Sequence, residues 1–281
     1  PFNICFEKWR KIVYSNHPYA FNTIGNENDV SKISYPDILY EFKKFKEREK
    51  YLISNNLAID GKNIETLNEK ISKESSVCIN NHIDPITRCD FVNSNSNQTI
   101  IMIGNQTCSR KSNEYWPLKI LESYLSFGMS AALFQLFRER NGITYDLGVF
   151  NPTRNGNAPF VVYLSVSNNK ALLAFELLSS LWKDLLLNPL IDDELHLAKE
   201  KLKGSFLFGN QSLEEILQRN IQLISYGISP LSEVDISLKI DEISSLDILR
   251  ITRKYLSKPF LSIYGNKLIC SEINKKWNKS F

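Results

Sequence analysis

A short internal repeat constrains the fold of this chain more than any other feature of its sequence. Residues 33–39 (ISYPDIL) match residues 243–249 (ISSLDIL) at an offset of 210 residues. In each copy a Ser and an Asp open an amphipathic helix that ends in a basic turn and leads to a short strand, at 51–55 or 260–264. Ile, Ser, Lys and Leu are common in this chain, so a chance match is the alternative. A true repeat indicates two copies of one fold.

The offset also predicts the domain boundaries. The second copy is expected to begin at the strand 98–104, which places the start of the first copy about a hundred residues before Pro1. We therefore expect the remnant of a first domain over residues 1–72 and a second domain over 98–281. Residues 73–97, rich in Ser, Asn and Asp, are typical of an interdomain linker.

The second domain is predicted to contain both helices and strands. Period-2 patterns and turn signals indicate strands, and apolar residues at helical spacing indicate helices. Strands are expected at 98–104, 143–150, 160–166 and 260–264, and helices at 115–126, 130–140, 172–185, 192–206 and from Ser212 to Gly227. The two central strands are joined by a turn-rich segment and form a hairpin. The fold class is therefore α+β, with helices packed on a largely antiparallel sheet.

Composition excludes several functions. The formal net charge is +3 and the basic residues are scattered along the chain, so nucleic acid is not an expected partner. The longest apolar runs are too short to span a bilayer. Gly-x-Gly-x-x-Gly, Walker and Gly-x-Ser-x-Gly patterns are absent from the sequence, which argues against nucleotide binding and serine hydrolysis.

The five cysteines are an odd number, and none forms a Cys-x-x-Cys pair. They are interpreted as reduced structural thiols, which favours a reducing compartment such as the cytoplasm or an organellar matrix without identifying it. The three histidines, His17, His82 and His196, lie outside any His-x-x-Glu-His or His-Glu-x-x-His sequence. His196 and Glu200 have the i, i+4 spacing of a ligand pair, but this spacing is more typical of an exposed polar face. No metal site is expected in this chain.

Residues 127–145 (FGMSAALFQLFRERNGITY), together with the order of elements, carry a resemblance to a known family. They resemble the second homologous domain of the insulinase/pitrilysin family of zinc metallopeptidases, the inverzincins. Residues 194–204 look like that family's helix with an acidic start and a Leu-Lys-Gly end, and residues 16–25 look like a loop late in its first domain. Two features depart from the family pattern. A Phe127-Gly128 pair replaces a frequent Gly-Gly pair, and Ala132 stands where a larger polar residue is common.

The resemblance implies a fold and a site. It implies duplicated metallopeptidase-like α/β sandwich domains, of which the first is truncated here. Two such domains or subunits close like a clamshell around an extended peptide. The first supplies zinc through His-x-x-Glu-His and a later Glu, and the second supplies an Arg and a Tyr, which match Arg138 and Tyr145. Zinc would then be held upstream of Pro1 or by a metal-bearing partner in a homodimer or heterodimer, and this chain alone would be inactive.

Chemistry gives both residues a role. The fork of an arginine can donate two hydrogen bonds to peptide carbonyls, and a tyrosine hydroxyl can donate to a carbonyl oxygen that gains negative charge. On spacing alone, an arginine at 138 is more often a cation of the last helical turn, and a tyrosine at 145 is more often a half-buried strand aromatic. A second hypothesis is a non-catalytic scaffold, similar to the core subunits of respiratory complexes that resemble these peptidases.

Overall fold

A computed structural model describes residues 1–48, except 16 and 23, and residues 88–281, except 145 and 234. The described residues fall into two compact units. The first lies within Pro1–Ala20, Asn80–Phe206 and Asp235–Phe281, and the second within Phe21–Ile79 and Leu207–Val234.

The first unit is built on one five-stranded sheet. Its strands are β1 (Cys89–Asn93), β2 (Gln98–Gln106), β3 (Asp146–Phe150), β4 (Pro159–Ser167) and β5 (Phe260–Gly265). They lie in the order β1-β5-β2-β4-β3, and only the β1–β5 pair is parallel. The largely antiparallel sheet and the β3–β4 hairpin predicted from the sequence are thus confirmed.

Ten α-helices accompany the sheet among the described residues. They are α1 (Phe2–Val13), α2 (Glu27–Val30), α3 (Tyr35–Glu47), α4 (Tyr115–Ser126), α5 (Ala171–Leu187), α6 (Asp192–Phe208), α7 (Leu213–Ser225), α8 (Ile236–Asp241), α9 (Ser245–Leu256) and α10 (Lys267–Ser280). A π-helix, Phe134–Glu139, precedes β3. Mixed helix and sheet confirm the α+β class.

Helices cover both faces of the sheet because its central strands are apolar on both sides. In β2, Ile100 and Met102 belong to a cluster with α1, whereas Ile101 and Ile103 belong to the larger core on the opposite face. α1 packs on β1, β2 and β5, and α4, α5, α9 and α10 lie in the larger core. Trp182 of α5 is buried there, and its indole N–H donates to the carbonyl of Leu256 at 3.0 Å.

The second unit, as far as it is described, contains α2, α3, α7 and the 3-10 helix Pro230–Glu233. α3 has no buried residue. The Ser212 hydroxyl accepts from the Glu215 N–H at 3.5 Å at the start of α7, which is one half of the capping box predicted there. Gly227, with φ 70°, follows the end of α7 as expected.

The repeat found in the sequence is also visible in helix caps. α3 and α9 begin with the same reciprocal capping box, Ser34 with Asp37 and Ser244 with Asp247, at the offset of 210 residues. The matching strand at 51–55 lies outside the described residues.

The boundaries at 72 and 97 stay a prediction, because 73–87 lie outside the described residues. Within the expected linker, residues 89–93 form β1. A five-residue edge strand between polar segments has too short a pattern to stand out in the sequence.

Candidate functional site

The segment between α4 and β3 carries the predicted site. Gly128 adopts φ 75° after α4, a conformation that favours glycine, and the exposed Met129 follows it. The side-chain amide of Gln135 donates to the Met129 carbonyl at 2.8 Å, which ties this loop to the following helix. The loop and the helix therefore form one local structure.

That helix differs from its prediction. An α-helix was expected over 130–140, whereas residues 134–139 form a π-helix, in which the Arg140 N–H donates to the Gln135 carbonyl at 3.0 Å. The Asn141 side chain donates to the Leu136 carbonyl at 2.7 Å and so satisfies one carbonyl near the helix end. Hydrophobic spacing over so short a segment cannot separate i→i+4 from i→i+5 bonding. π-Helical turns occur frequently at functional sites.

Arg138 lies on the exposed side of this π-helix. Its neighbour Phe137 is fully buried in the core and fixes the backbone there. The Arg138 guanidinium carbon lies 4.9 Å from the centroid of the Phe134 ring, a cation–π contact. Stacking restricts the plane of the guanidinium, which reduces the entropy lost when its N–H groups bind a ligand.

Tyr145 lies outside the described residues, so its pairing with Arg138 stays a prediction. The residues before it do not form the strand expected from 143. The Ile143 N–H donates to the Phe137 carbonyl at 2.7 Å, and the Asp146 N–H donates to the Thr144 hydroxyl at 3.1 Å. These hydrogen bonds are typical of a turn, and β3 begins at Asp146.

A pocket of about 280 Å³ is lined in part by residues of the π-helix, and Arg138 is not among its lining residues. The Tyr124 hydroxyl donates to Glu194 at 3.2 Å within it, and burial, followed by the nearby Glu194 charge, raises the pKa of that tyrosine. Burial lowers the pKa of Lys201. Sequence spacing did not reveal this pocket, because α4, the π-helix, α5 and α6 each contribute to it. Its charged and polar lining includes Tyr124, Gln135, Arg140, Glu194 and Lys201.

The residues that the structure describes do not fit a zinc site. Nowhere in the described ranges do three His, Cys, Asp or Glu side chains come together as a metal would require. Glu200 forms an ion pair with Lys203 at 2.5 Å, and His196 is an exposed residue on the same helix. Nδ1 of His17 accepts the Tyr19 N–H at 3.1 Å. His82 lies outside the described residues.

Among the helices that the structure describes, none has both the length and the apolar character needed to cross a bilayer.

Comparison with known proteins identifies the family. Residues 60–202, a little more than half of the chain, match the family described as "Peptidase M16 inactive domain". A Rickettsia felis protein named "Uncharacterized zinc protease" is 22% identical over 253 residues, which cover 86% of this chain and 61% of that protein. The chain spans less than two thirds of the curated relatives of this kind that it matches.

Solved structures give the same fold. The peptidase M16 inactive domain from Pseudomonas fluorescens superposes with a TM-score of 0.82 at 19% identity, covering 95% of this chain and 66% of that one. A chain of complex III2 from Candida albicans gives 0.70 at 14% identity, covering 97% and 70%. The family resemblance read from the sequence is confirmed, and the chain belongs to the peptidase M16 family through its inactive domain.

Proposed function

We propose that this chain is the substrate-binding portion of an insulinase-type zinc metalloendopeptidase, or of its non-catalytic partner subunit, and grips an extended peptide in a clamshell. The observation that supports this best is Arg138. It is exposed on the π-helix, stacks on Phe134, and lies in the segment that carries the family resemblance. The family match is to an inactive domain, which favours binding over cleavage as the role of this chain.

The proposed role of Arg138 follows from its chemistry. An extended peptide presents carbonyl oxygens along its length, and a guanidinium can donate two parallel hydrogen bonds to them. The charge of the guanidinium persists in a partly desolvated cleft, where a lysine could lose its proton. The backbone that carries it is held by buried Phe137, whose carbonyl accepts from Ile143. Such anchoring reduces the ordering needed when a peptide binds.

Tyr145 has a different role in this proposal. Its hydroxyl would donate to the scissile carbonyl as negative charge develops there, whereas Arg138 would hold the chain before and during the reaction. Zinc would be held by another domain, upstream of Pro1 or in a partner subunit.

The test is cleavage of a peptide by the full-length protein or by the reconstituted pair. We expect Arg138→Ala and Tyr145→Phe each to lower kcat/KM by about 10-fold to 1,000-fold, with folding unchanged. Arg138→Ala should raise KM most, because uniform binding is lost, and Tyr145→Phe should lower kcat, because its bond strengthens in the transition state.

The matched control is Arg250→Ala. Arg250 is a well-exposed arginine of α9 that forms an ion pair with Asp247 at 3.3 Å, so its removal changes net charge equally. Its kinetics should equal those of the unchanged protein. Unaltered kinetics in Arg138→Ala and Tyr145→Phe would reject their assigned roles.

The second candidate is a structural or interaction scaffold. It is favoured by the likeness to a chain of complex III2 from Candida albicans, with a TM-score of 0.70. Fluorescence anisotropy of labelled extended peptides separates the two candidates. A peptide holder binds them and loses affinity in Arg138→Ala, whereas a scaffold shows no binding that depends on this arginine.

A further inference from the structure

The pocket formed by α4, the π-helix, α5 and α6 lies within the first unit and is separate from Arg138 in its lining. It combines an apolar wall with hydrogen-bonding and charged side chains of both signs. A concave site with an apolar wall and a few polar groups is the usual form of a small-molecule site. The apolar wall comes from Ala132, Leu136, Leu181, Leu197 and Ala198.

Three lysines at alternate positions of α6 differ in their surroundings. Nζ of Lys199 donates to the Asp241 carbonyl at 2.8 Å. Nζ of Lys203 lies 2.9 Å from the Asp241 carboxylate and 2.5 Å from that of Glu200. Lys201 is half-buried in the pocket lining, and its ammonium group has no hydrogen bond or ion pair with any residue that the structure describes. Burial therefore lowers its pKa without a nearby carboxylate to offset the effect.

Arg140 is a second cation in the lining of this pocket. It directly follows the π-helix, and within the described part of the chain its exposed guanidinium has no counter-charge either. A half-buried ammonium such as that of Lys201 loses hydration without gaining an ion pair in return. A bound carboxylate would supply the missing partner, because ammonium and guanidinium groups both form strong charge-assisted hydrogen bonds with it.

The same lining holds one carboxylate, that of Glu194. It accepts from the Tyr124 hydroxyl at 3.2 Å and from the Ile191 N–H at 3.3 Å, which leaves lone pairs for a further donor. Glu194 precedes Lys201 on α6 by about two helical turns, or about 10 Å along the axis. An extended peptide of two or three residues has a comparable length, about 7 to 11 Å. The negative charge of Glu194 also disfavours a doubly charged anion such as phosphate.

We propose that this pocket binds a free peptide of two or three residues with apolar side chains. Its C-terminal carboxylate pairs with Lys201 and Arg140, its ammonium group pairs with Glu194, and its side chains lie on the apolar wall. The pocket volume of about 280 Å³ suits so small a ligand. The bond from Gln135 to the Met129 carbonyl holds the adjoining loop, so the site is formed before the ligand arrives. This site is distinct from peptide holding at Arg138 and stands without it.

Calorimetric titration of the 281-residue chain with leucyl-leucine tests the assignment. We expect a Kd on the order of 0.1 to 1 mM, which follows from the binding energy per atom typical of drug-sized ligands. The C-terminal amide lacks the carboxylate and the N-acetyl derivative lacks the ammonium group, and each should bind at least about 10-fold more weakly.

Three outcomes of this titration would overturn the proposal. The first is that leucyl-leucine does not bind at concentrations up to about 10 mM. The second is that the amide binds as tightly as the free acid, which would show that the cations do not meet the carboxylate. The third is that the N-acetyl derivative binds equally well, which would make the pocket a site for apolar carboxylates in general and refute the peptide assignment.

A pair of lysine variants locates the site on α6. Lys201→Met keeps an unbranched side chain but removes the charge in the pocket lining. It should weaken binding of leucyl-leucine about 10-fold and change binding of the amide by less than about 2-fold. Lys203→Met makes the same chemical change on α6 outside the pocket lining and should leave both affinities unchanged. Equal losses in the two variants, or equal losses of acid and amide in Lys201→Met, would contradict the proposed contact.

Discussion

Four cysteine thiols in the described residues are held in surroundings that oppose their ionisation. Cys5, Cys108 and Cys270 are buried and Cys89 is partly buried. Burial raises the pKa values of Cys5 and Cys89 to about 12 and those of Cys108 and Cys270 to about 11. Cys5 also donates to the Ser262 hydroxyl at 3.4 Å. Because the thiolate is the reactive form, these side chains should be inert at neutral pH.

This predicts the pattern of alkylation. At pH 8, iodoacetamide should modify native Cys5, Cys108 and Cys270 at least about 100-fold more slowly than the same residues in urea, because the thiolate fraction falls tenfold per pKa unit. Peptide mapping reads each site separately, including Cys78, which lies outside the described residues. Labelling of native Cys108 at the rate measured in urea would show that its surroundings do not oppose ionisation of the thiol.

For single residues, the sequence identified a candidate site residue better than it predicted what surrounds the side chain. Arg138 could be singled out because the residues around it match a family pattern, and the structure finds it exposed. Its contact with Phe134 has the i, i+4 spacing that an ordinary helix brings together, whereas the π-helix that carries it leaves no clear periodic signal in the sequence. The polar pocket with Tyr124 and Glu194 was missed because those side chains are far apart in sequence and come together only by helix packing.

Among the elements, the helices and strands with a long hydrophobic pattern were predicted with bounds close to the observed ones. The expected helix over 115–126 is found as α4, and the helix predicted to stop before Pro189 ends at Leu187. The least predictable element was β1, since its pairing with β5 joins residues 172 positions apart. Such pairing is decided by the completed sheet rather than by local preference.

The two matching capping boxes give a prediction at this scale. Ser244→Ala removes the bond from the Asp247 N–H, at 3.2 Å, from a helix whose apolar side is buried in the core. We expect the free energy of unfolding to fall by about 1 kcal/mol. Ser34→Ala breaks the same box on α3, which has no buried residue among those described, and should leave the main unfolding transition unchanged. Urea denaturation of both variants makes the comparison, and equal losses would contradict it.

The capping box of α9 also predicts a pH dependence. Hydrogen bonds from the Ser244 side chain and backbone lower the pKa of Asp247 below its ordinary value. A carboxyl whose pKa is lower in the folded state adds stability above its unfolded pKa and loses it as the pH falls through the folded pKa. The difference between Ser244→Ala and the unchanged protein should therefore shrink below about pH 4. A difference that stays constant from pH 7 to pH 3 would show that the ionised carboxylate plays no part.

For the whole molecule, the proposed function implies a division of labour between two domains. The chain belongs to an inactive domain, spans 61% of the length of the Rickettsia felis relative, and its described residues bring no three possible metal ligands together. A clamshell peptidase of this kind would have its metal in one domain and peptide-holding groups in the other. The isolated chain should then lack both zinc affinity and cleavage activity.

That expectation can be measured directly on the purified 281-residue chain. A metal that binds the folded state at 100 times its Kd would stabilise it by about 2.7 kcal/mol, which is several degrees in Tm for a protein of this size. We expect micromolar zinc to shift Tm by less than about 1 °C and to induce no cleavage of a fluorogenic peptide library. An EDTA-reversible rise in Tm, or EDTA-sensitive cleavage, would show that this chain binds its own metal. The division of labour between two domains would then be wrong.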